Sequence, residues 1–371
     1  MQFIDLKTQQ NNISRNIEDA ISRVLKHGQY IMGPEVQELE SKLEVFTGSS
    51  NCISCSSGTD ALLLTLLAYN VGPGDAIITT PFTFFATAEV IALCGATPVF
   101  VDIDSESYNI CPHKIKKTIQ TYESNNRDKL KGIITVDLFG CPADYDAIMP
   151  MAEEYNLFVI QDSSQAFGAS YKNRKAPTHG HVGTTSFFPA KPLGCYGDGG
   201  AVFTDDNILA NKIRSLRVHG KGSDKYNNVN IGINGRLDTL QAAILLEKFK
   251  IYPKEIEKRN HIANDYQDRL SSFKLQDVSG AVTSVWAQFV IESDCRDELM
   301  MRLQSFDIPS FIYYPKPLHL LDAMKKYGYQ KSDFLAAESA SEKIFALPMH
   351  PYMKSSDIEK ICRILTEVDP I

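Results

Sequence analysis

Apolar positions recur at two spacings along this chain, and the spacing decides the predicted element. Over residues 13–26, Ile17, Ile21, Val24 and Leu25 fall on one side of a helix. A second helix is predicted over 35–46, opened by Pro34 at the first-turn position, where a missing N–H costs nothing. Residues 51–55 read as a short buried strand, and the nearly unbroken apolar run 61–69 as a buried helix after the turn Ser56-Ser57-Gly58-Thr59-Asp60. Short runs rich in Ile, Val and Phe follow at 76–79, 97–102, 132–136, 157–160 and 201–204, with helical stretches such as 142–155 between several of them. Short apolar strands alternating with helices predict a mostly parallel sheet covered on both faces.

Past residue 245 the pattern changes. Charged helices are predicted at 240–249 and 255–270, a strand at 285–291, and further helices at 296–306 and 357–366. This predicts a large α/β domain over 1–245, with a helical N-terminal arm, and a smaller α+β domain over 246–371.

Composition changes this picture little. Of 371 residues, 43% are hydrophobic and 22% charged, which suits a globular chain with a large core. The net charge of -7 argues against nucleic acid or an anionic membrane as partner. No apolar run reaches membrane-spanning length, and the first ten residues lack the basic and apolar regions of a signal peptide, so a cytoplasmic protein is expected. Cys52-Ile-Ser-Cys55 has C-x-x-C spacing, but no second pair or thioredoxin-like context supports a redox or zinc role. No metal is expected.

The candidate chemistry centres on Lys191, in Ser186-Phe-Phe-Pro-Ala-Lys191-Pro-Leu-Gly194, followed by Tyr196-Gly-Asp-Gly-Gly200. A lysine set among aromatics, prolines and glycines can lose water, and a desolvated amine is a nucleophile towards aldehydes. Ser57-Gly58-Thr59-Asp60 opens a helix and suits either an anion such as phosphate or an ordinary N-cap. Asp162 follows the strand at 157–160 and is a turn residue, a metal ligand or the partner of a pyridine nitrogen. No carboxylate or histidine stands beside it at ligand spacing, so metal is the weakest of the three. An anion-binding helix start, the aromatic stretch Pro81-Phe-Thr-Phe-Phe85, a strand-end aspartate and a lysine in a glycine-rich loop occur in that order. Pyridoxal 5'-phosphate asks for all four.

On these motifs the chain resembles the DegT/DnrJ/StrS-type family of sugar aminotransferases. The resemblance runs through Tyr30-Ile-Met-Gly-Pro-Glu35, Ser57 to Leu62, Thr83-Phe-Phe-Ala-Thr87, Gly95-Ala-Thr-Pro98, Asp162 to Gly168, Ser186 to Gly200, Gly232-Ile-Asn-Gly-Arg-Leu-Asp238, Tyr314-Pro-Lys-Pro-Leu-His319 and Leu347-Pro-Met-His-Pro351. It implies the fold-type I aminotransferase architecture, with a seven-stranded-type sheet, and pyridoxal 5'-phosphate as cofactor. By the same resemblance Lys191 condenses with the cofactor aldehyde, Asp162 pairs with the ring nitrogen and Gln165 contacts the ring hydroxyl. Thr59 and Ser186 hold the phosphate with help from Gly58 and Asp60, and Phe84 stacks on the ring. Asn234 reaches a partner subunit's phosphate, which implies a homodimer with shared sites. Tyr313 departs from the family, standing where many members have histidine.

The implied reaction is transamination from glutamate to a nucleotide-linked keto-sugar. The overall texture resembles enzymes acting on UDP-2-acetamido-2-deoxy-3-oxo-glucuronate in surface-polysaccharide (lipopolysaccharide or O-antigen) assembly. A dTDP- or UDP-linked 4-keto- or 3-keto-6-deoxy sugar is the alternative. Tyr30, Gly33, Tyr313 and Tyr314 are substrate candidates; Lys225, Arg236, Lys316 and His319 could pair with a sugar carboxylate or diphosphate, or be plain surface charges. A nicotinamide dehydrogenase predicts a G-x-G-x-x-G turn opening a helix, and none occurs. A non-catalytic regulator would need a further binding module, for which the chain has neither spare length nor a basic segment.

Overall fold

In the computed structural model, which describes residues 1–125, 128–224, 226–278 and 280–366, the chain opens with two helices. The first, α1 (Leu6–His27), is capped by Asp5, which accepts the Thr8 N–H at 2.9 Å, and it buries Ile13, Ile17, Ala20 and Val24. The second, α2 (Pro34–Thr47), starts at its proline and buries Val36, Leu39 and Leu43. Next come β1 (Asn51–Cys55), α3 (Gly58–Ala68), β2 (Asp75–Thr79), α4 (Ala86–Leu93), β3 (Thr97–Phe100), α5 (Pro112–Asn125), β4 (Lys129–Val136), α6 (Tyr145–Glu154) and β5 (Phe158–Asp162). A small hairpin, β6 (Ser170–Tyr171) and β7 (Arg174–Lys175), leads to β8 (Val182–Ser186), β9 (Gly200–Thr204) and α7 (Asn207–Leu216).

These strands form a seven-stranded sheet in the order β1-β9-β8-β5-β4-β2-β3, with β9 antiparallel to both neighbours and the other pairings parallel. Alternate strand residues serve opposite layers. Ile134 and Ile160 pack with Leu62, Leu66, Val90 and Ile91 of α3 and α4, whereas Ile133 and Val159 pack with Ile115, Ile119, Ile148 and Met151 of α5 and α6. The α/β architecture with a mostly parallel sheet is thus as the sequence predicts.

The predicted helices at 240–249 and 255–270 are instead one, α8 (Thr239–Arg269), running through Pro253. Pro253 removes one backbone bond, but Tyr252 and Ile256 on either side of it are buried, and the Tyr252 hydroxyl donates to the Phe167 carbonyl. Packing outweighs the lost bond, as tertiary context commonly does with propensity. The division placed at 245/246 therefore falls inside a continuous helix. Its first half packs with Leu39, Phe167 and Phe203, and its second half, through Ile262, Ala263 and Tyr266, with Phe289 and Leu303.

The remaining elements are β10 (Lys274–Leu275), β11 (Val282–Thr283), β12 (Phe289–Glu292), α9 (Arg296–Ser305), α10 (Leu335–Lys343), β13 (Ile344–Leu347) and α11 (Ser355–Thr366). An antiparallel sheet β10-β12-β13 lies over the second half of α8, and β11 joins β6 and β7. The strand predicted from 285 starts only at Phe289, because Trp286 takes φ +49°, held by its indole N–H on Asn260 Oδ1 (3.2 Å) and by Arg259 on its carbonyl (3.0 Å). No helix among the described residues is long and apolar enough to cross a membrane.

Candidate active site

The site forms where the parallel strands end. Gly200 pairs with Cys55 on one side and Ser186 on the other, which draws the loop after β1 against the end of β8. A Cβ on Gly200 would lie 2.4 Å from the Ser57 carbonyl oxygen, and one on Gly58 would lie 2.6 Å from Ser186 Cβ. Only glycine permits both approaches. Ser57 caps α3 by accepting the Asp60 N–H at 3.0 Å, and the Asp60 carboxylate accepts from the Ser56 hydroxyl. The cap reading is therefore correct for Ser57 and Asp60. It leaves the first-turn N–H groups of Gly58 and Thr59 without a partner within the helix, and Gly58 lies against Ser186. Donors at a helix start beside a serine hydroxyl make an anion cradle.

Asp162 ends β5, in register with Val136 of β4 and Thr184 of β8, and is 5% exposed. It accepts the Ser164 N–H at 3.0 Å and lies 3.5 Å from the Thr87 hydroxyl. Burial pushes its carboxyl up, opposed by Ser164, Lys191 and Thr87. Lys191 sits on a loop folded back by its own N–H on the Phe188 carbonyl (2.9 Å) and by the Cys195 N–H on the Phe187 carbonyl (2.8 Å). Gly194 is required there, since a Cβ would lie 2.5 Å from the Phe188 oxygen. Burial pushes the Lys191 amine down, and the charge of Asp162 opposes this. Among the described residues its side chain has no hydrogen bond or ion pair within 4.0 Å. A desolvated amine without a partner, electrostatically coupled to a buried carboxylate with spare acceptor capacity, is arranged for a ligand between them.

Gln165 lies three residues beyond Asp162. Its Oε1 accepts the Phe139 N–H at 2.7 Å and its Nε2 donates to the Tyr314 hydroxyl at 2.9 Å, leaving one N–H for a ligand. Phe84 is 60% exposed, an uncovered ring above α4. The cradle, the acid, the amine and the ring fit pyridoxal 5'-phosphate: an anion at Gly58, Thr59 and Ser186, a basic ring nitrogen at Asp162, an aldehyde at Lys191.

Comparison with known proteins agrees. The sequence matches the DegT/DnrJ/EryC1/StrS aminotransferase family over residues 11–366. The chain belongs to this family. It is 44% identical over 368 residues to UDP-2-acetamido-2-deoxy-3-oxo-D-glucuronate aminotransferase of Pseudomonas aeruginosa, covering 99% of each chain. A DegT/DnrJ/EryC1/StrS aminotransferase structure from Brucella abortus superposes with a TM-score of 0.96 at 48% identity, covering 98% of each chain. A Bacillus subtilis protein solved with bound PMP, the amino form of the cofactor, matches with a TM-score of 0.87 at 29% identity, over 96% of this chain and 83% of that one. As a member of an aminotransferase family, the chain is an aminotransferase, and pyridoxal phosphate is its cofactor.

Within this family member the substrate candidates separate. Tyr314 stands beside Gln165, edge-on to Phe82 with centroids 6.1 Å apart. Tyr313 packs against Phe3 and Tyr314, and burial pushes its phenol up. The Leu318 N–H donates to the Pro81 carbonyl at 2.7 Å, which ties this C-terminal segment to the site loop. Arg236 follows Gly235, whose carbonyl accepts the Ser56 N–H at 3.1 Å, and its buried Nε has no partner among the described residues. That orphaned donor suits an anionic ligand.

Others lie apart. His319 is 1% exposed; its Nε2 meets Glu338 at 3.0 Å and its ring abuts Phe334. Burial lowers its pKa against the pull of Glu338, and its Nδ1 is buried with no partner among the described residues. Gly33 is buried against Thr239, whose hydroxyl accepts its N–H at 3.0 Å, so its smallness serves packing. Tyr30, Lys316 and Asn234 are exposed, and Lys225 lies outside the described residues. Cys52 and Cys55 are buried in β1, and burial pushes the Cys55 thiol up to about 12. Sequence reasoning missed Thr87 and the Ser164 N–H as partners of Asp162, for nothing local marks them.

Proposed function

We propose that this chain transfers an amino group from glutamate to the 3-keto group of UDP-2-acetamido-2-deoxy-3-oxo-glucuronate, in the cytoplasm, for surface-polysaccharide assembly. The observation that carries the chemistry is the coupling of the partnerless Lys191 amine to buried Asp162. Full-length 44% identity to an aminotransferase of that specificity supports the sugar. Orphaned Arg236 Nε supports an acidic substrate.

Bound pyridoxal phosphate supplies an aldehyde for the amine and a ring that accepts electrons from the carbon losing its proton. The protein does the rest. Gly58, Thr59 and Ser186 anchor the phosphate. Asp162, buried yet short of donors, holds a proton on the ring nitrogen. Lys191, with its pKa lowered, would take the proton from the donor's α-carbon and return it to the former aldehyde carbon on the other side of the amino nitrogen, as general base and then acid. Phe84 covers the ring face.

The site is shared between two subunits in this reading. Val229 is 60% and Ile231 95% exposed, three to five residues before exposed Asn234, and Tyr30, Ile31 and Met32 are also bare. Apolar side chains in such a group support a covering partner, which brings Asn234 to a neighbouring phosphate.

Two measurements test this. Lys191→Ala should remove the absorbance band of the covalently held cofactor and reduce turnover below detection; full activity ends the assignment. The aminated cofactor form should lose its band when mixed with the UDP-3-keto-hexuronate and keep it with a dTDP-4-keto-6-deoxy sugar. The reverse outcome selects the alternative sugar. Cofactor binding without turnover on any sugar selects a regulator.

A further inference from the structure

A second carboxylate lies directly behind Asp162. Asp137 follows β4 and is fully buried. Its backbone N–H donates to the Asp162 carbonyl at 3.0 Å. Its Oδ2 accepts from Gln161 Nε2 at 2.7 Å and from the Ser163 hydroxyl at 2.6 Å. Its Oδ1 accepts from the Tyr145 hydroxyl at 2.6 Å and the Ala143 N–H at 3.1 Å. Thus the residues on both sides of Asp162 are tethered to one oxygen on the neighbouring strand, and Asp162 itself is tethered through its backbone. Successive strand residues face opposite ways. Gln161 and Ser163 point to the α6 side with Asp137, so Asp162 is turned to the cofactor side.

We propose that Asp137 is a positioning residue for catalysis: it clamps the end of β5 through Gln161 and Ser163 and so fixes where the Asp162 carboxylate stands. Four donors converge on it, and among the described residues no cation pairs with it. The Ala143 N–H on Oδ1 and the Gln161 Nε2 on Oδ2 are fixed donors, and the Tyr145 and Ser163 hydroxyls add one 2.6 Å contact to each oxygen. Asparagine in its place would turn an N–H towards one of those donors. The groups around it are Tyr145 from α6, with His179 stacked on that ring at 5.2 Å, Cys141 from the following turn, and Asp162 itself. The same turn carries Phe139 at φ +61°, whose N–H holds Gln165, so the clamp also supports the contact expected at the ring hydroxyl.

The inference rests on Asp162 meeting the cofactor ring. The test therefore starts from wild-type enzyme saturated with pyridoxal phosphate; if no covalent band forms there, the cofactor reading fails and not the clamp. With the band in hand, Asp137→Asn should shift the pH midpoint of that band. It should also lower kcat at saturating cofactor by roughly tenfold to a hundredfold, the scale of a small misplacement of catalytic groups, with a lesser change in KM. Ser163→Ala removes one strut and should act in the same way, more weakly, should Asp137→Asn fold poorly. Tyr145→Phe removes a donor from the helix side and should act in the same direction as Ser163→Ala, with a loss of Tm. Ser163→Ala and Asp137→Asn enzymes that lose Tm but keep the wild-type band midpoint and kcat would show a merely structural carboxylate and overturn the proposal.

Discussion

At the end of β5 each face of the sheet holds one carboxylate, and the two are satisfied in opposite ways. Asp137 receives four donors within 3.1 Å. Asp162 has the Ser164 N–H at 3.0 Å and the Thr87 hydroxyl at 3.5 Å, with the Ser164 side chain as a further donor. Both are buried, so both carry a desolvation penalty. One face meets it with four protein donors, although burial still outweighs them and holds the carboxyl above its usual range. The other leaves it partly unmet and keeps room for a cationic ring. A buried acid short of donors marks a ligand position, and a saturated one marks its support.

The comparison breaks most readily at Asp162. Asp162→Asn should lower kcat/KM by on the order of 10²–10³, the scale of losing one preorganised electrostatic partner. It should leave Tm unchanged or raised, since a poorly compensated buried charge is gone. A large loss of Tm with little loss of activity would exchange the roles of the two acids.

The pH dependence of stability comes next. Burial pushes the Asp137 carboxyl up to about 6 from an ordinary 3.8, with Ser163, Tyr145, Gln161 and Ala143 pulling it back. Between those values the folded chain binds a proton that the unfolded chain releases. This group's contribution therefore falls as pH rises through the window and returns on acidification. The full difference is about 3 kcal/mol. The stability of wild type relative to Asp137→Asn, read from denaturant midpoints, should be greater at pH 4.5 than at pH 7. Identical differences would mean that Asp137 is not the titrating group.

A smaller effect is expected at Gln165, which joins Phe139 to Tyr314. Gln165→Ala leaves a buried N–H and a phenol without their partner and should cost about 1–3 kcal/mol, read by thermal unfolding of the cofactor-free enzyme. No loss would show that water replaces the amide, and that the Leu318–Pro81 bond and the packing of Tyr313 and Tyr314 seat the C-terminal segment.

Much of this was legible in the chain. Strands at 76–79 and 132–136 stand out because both faces of a parallel sheet are buried and their sequences are apolar but for one threonine each. β8 was not legible: Val182-Gly-Thr-Thr-Ser186 has one large apolar residue, and its threonines become acceptable inside only once Thr185 finds the Ser163 carbonyl at 3.2 Å. His319 shows the converse, since sequence gives its charge but not its burial against Glu338.

The sequence by itself determined the order of the chemical parts: helix start, strand-end acid, glycine-bound lysine. Each depends on local residue type and spacing, and the backbone conformation follows from them. Tertiary structure decided the rest. The neighbours across the sheet are set by strand register, so the clamp from Asp137 to Gln161 and Ser163 exists only once Val136 lies beside Asp162. The continuity of α8 through Pro253 was settled likewise, because burial of residues distant in sequence outweighs the local preference to break a helix at proline.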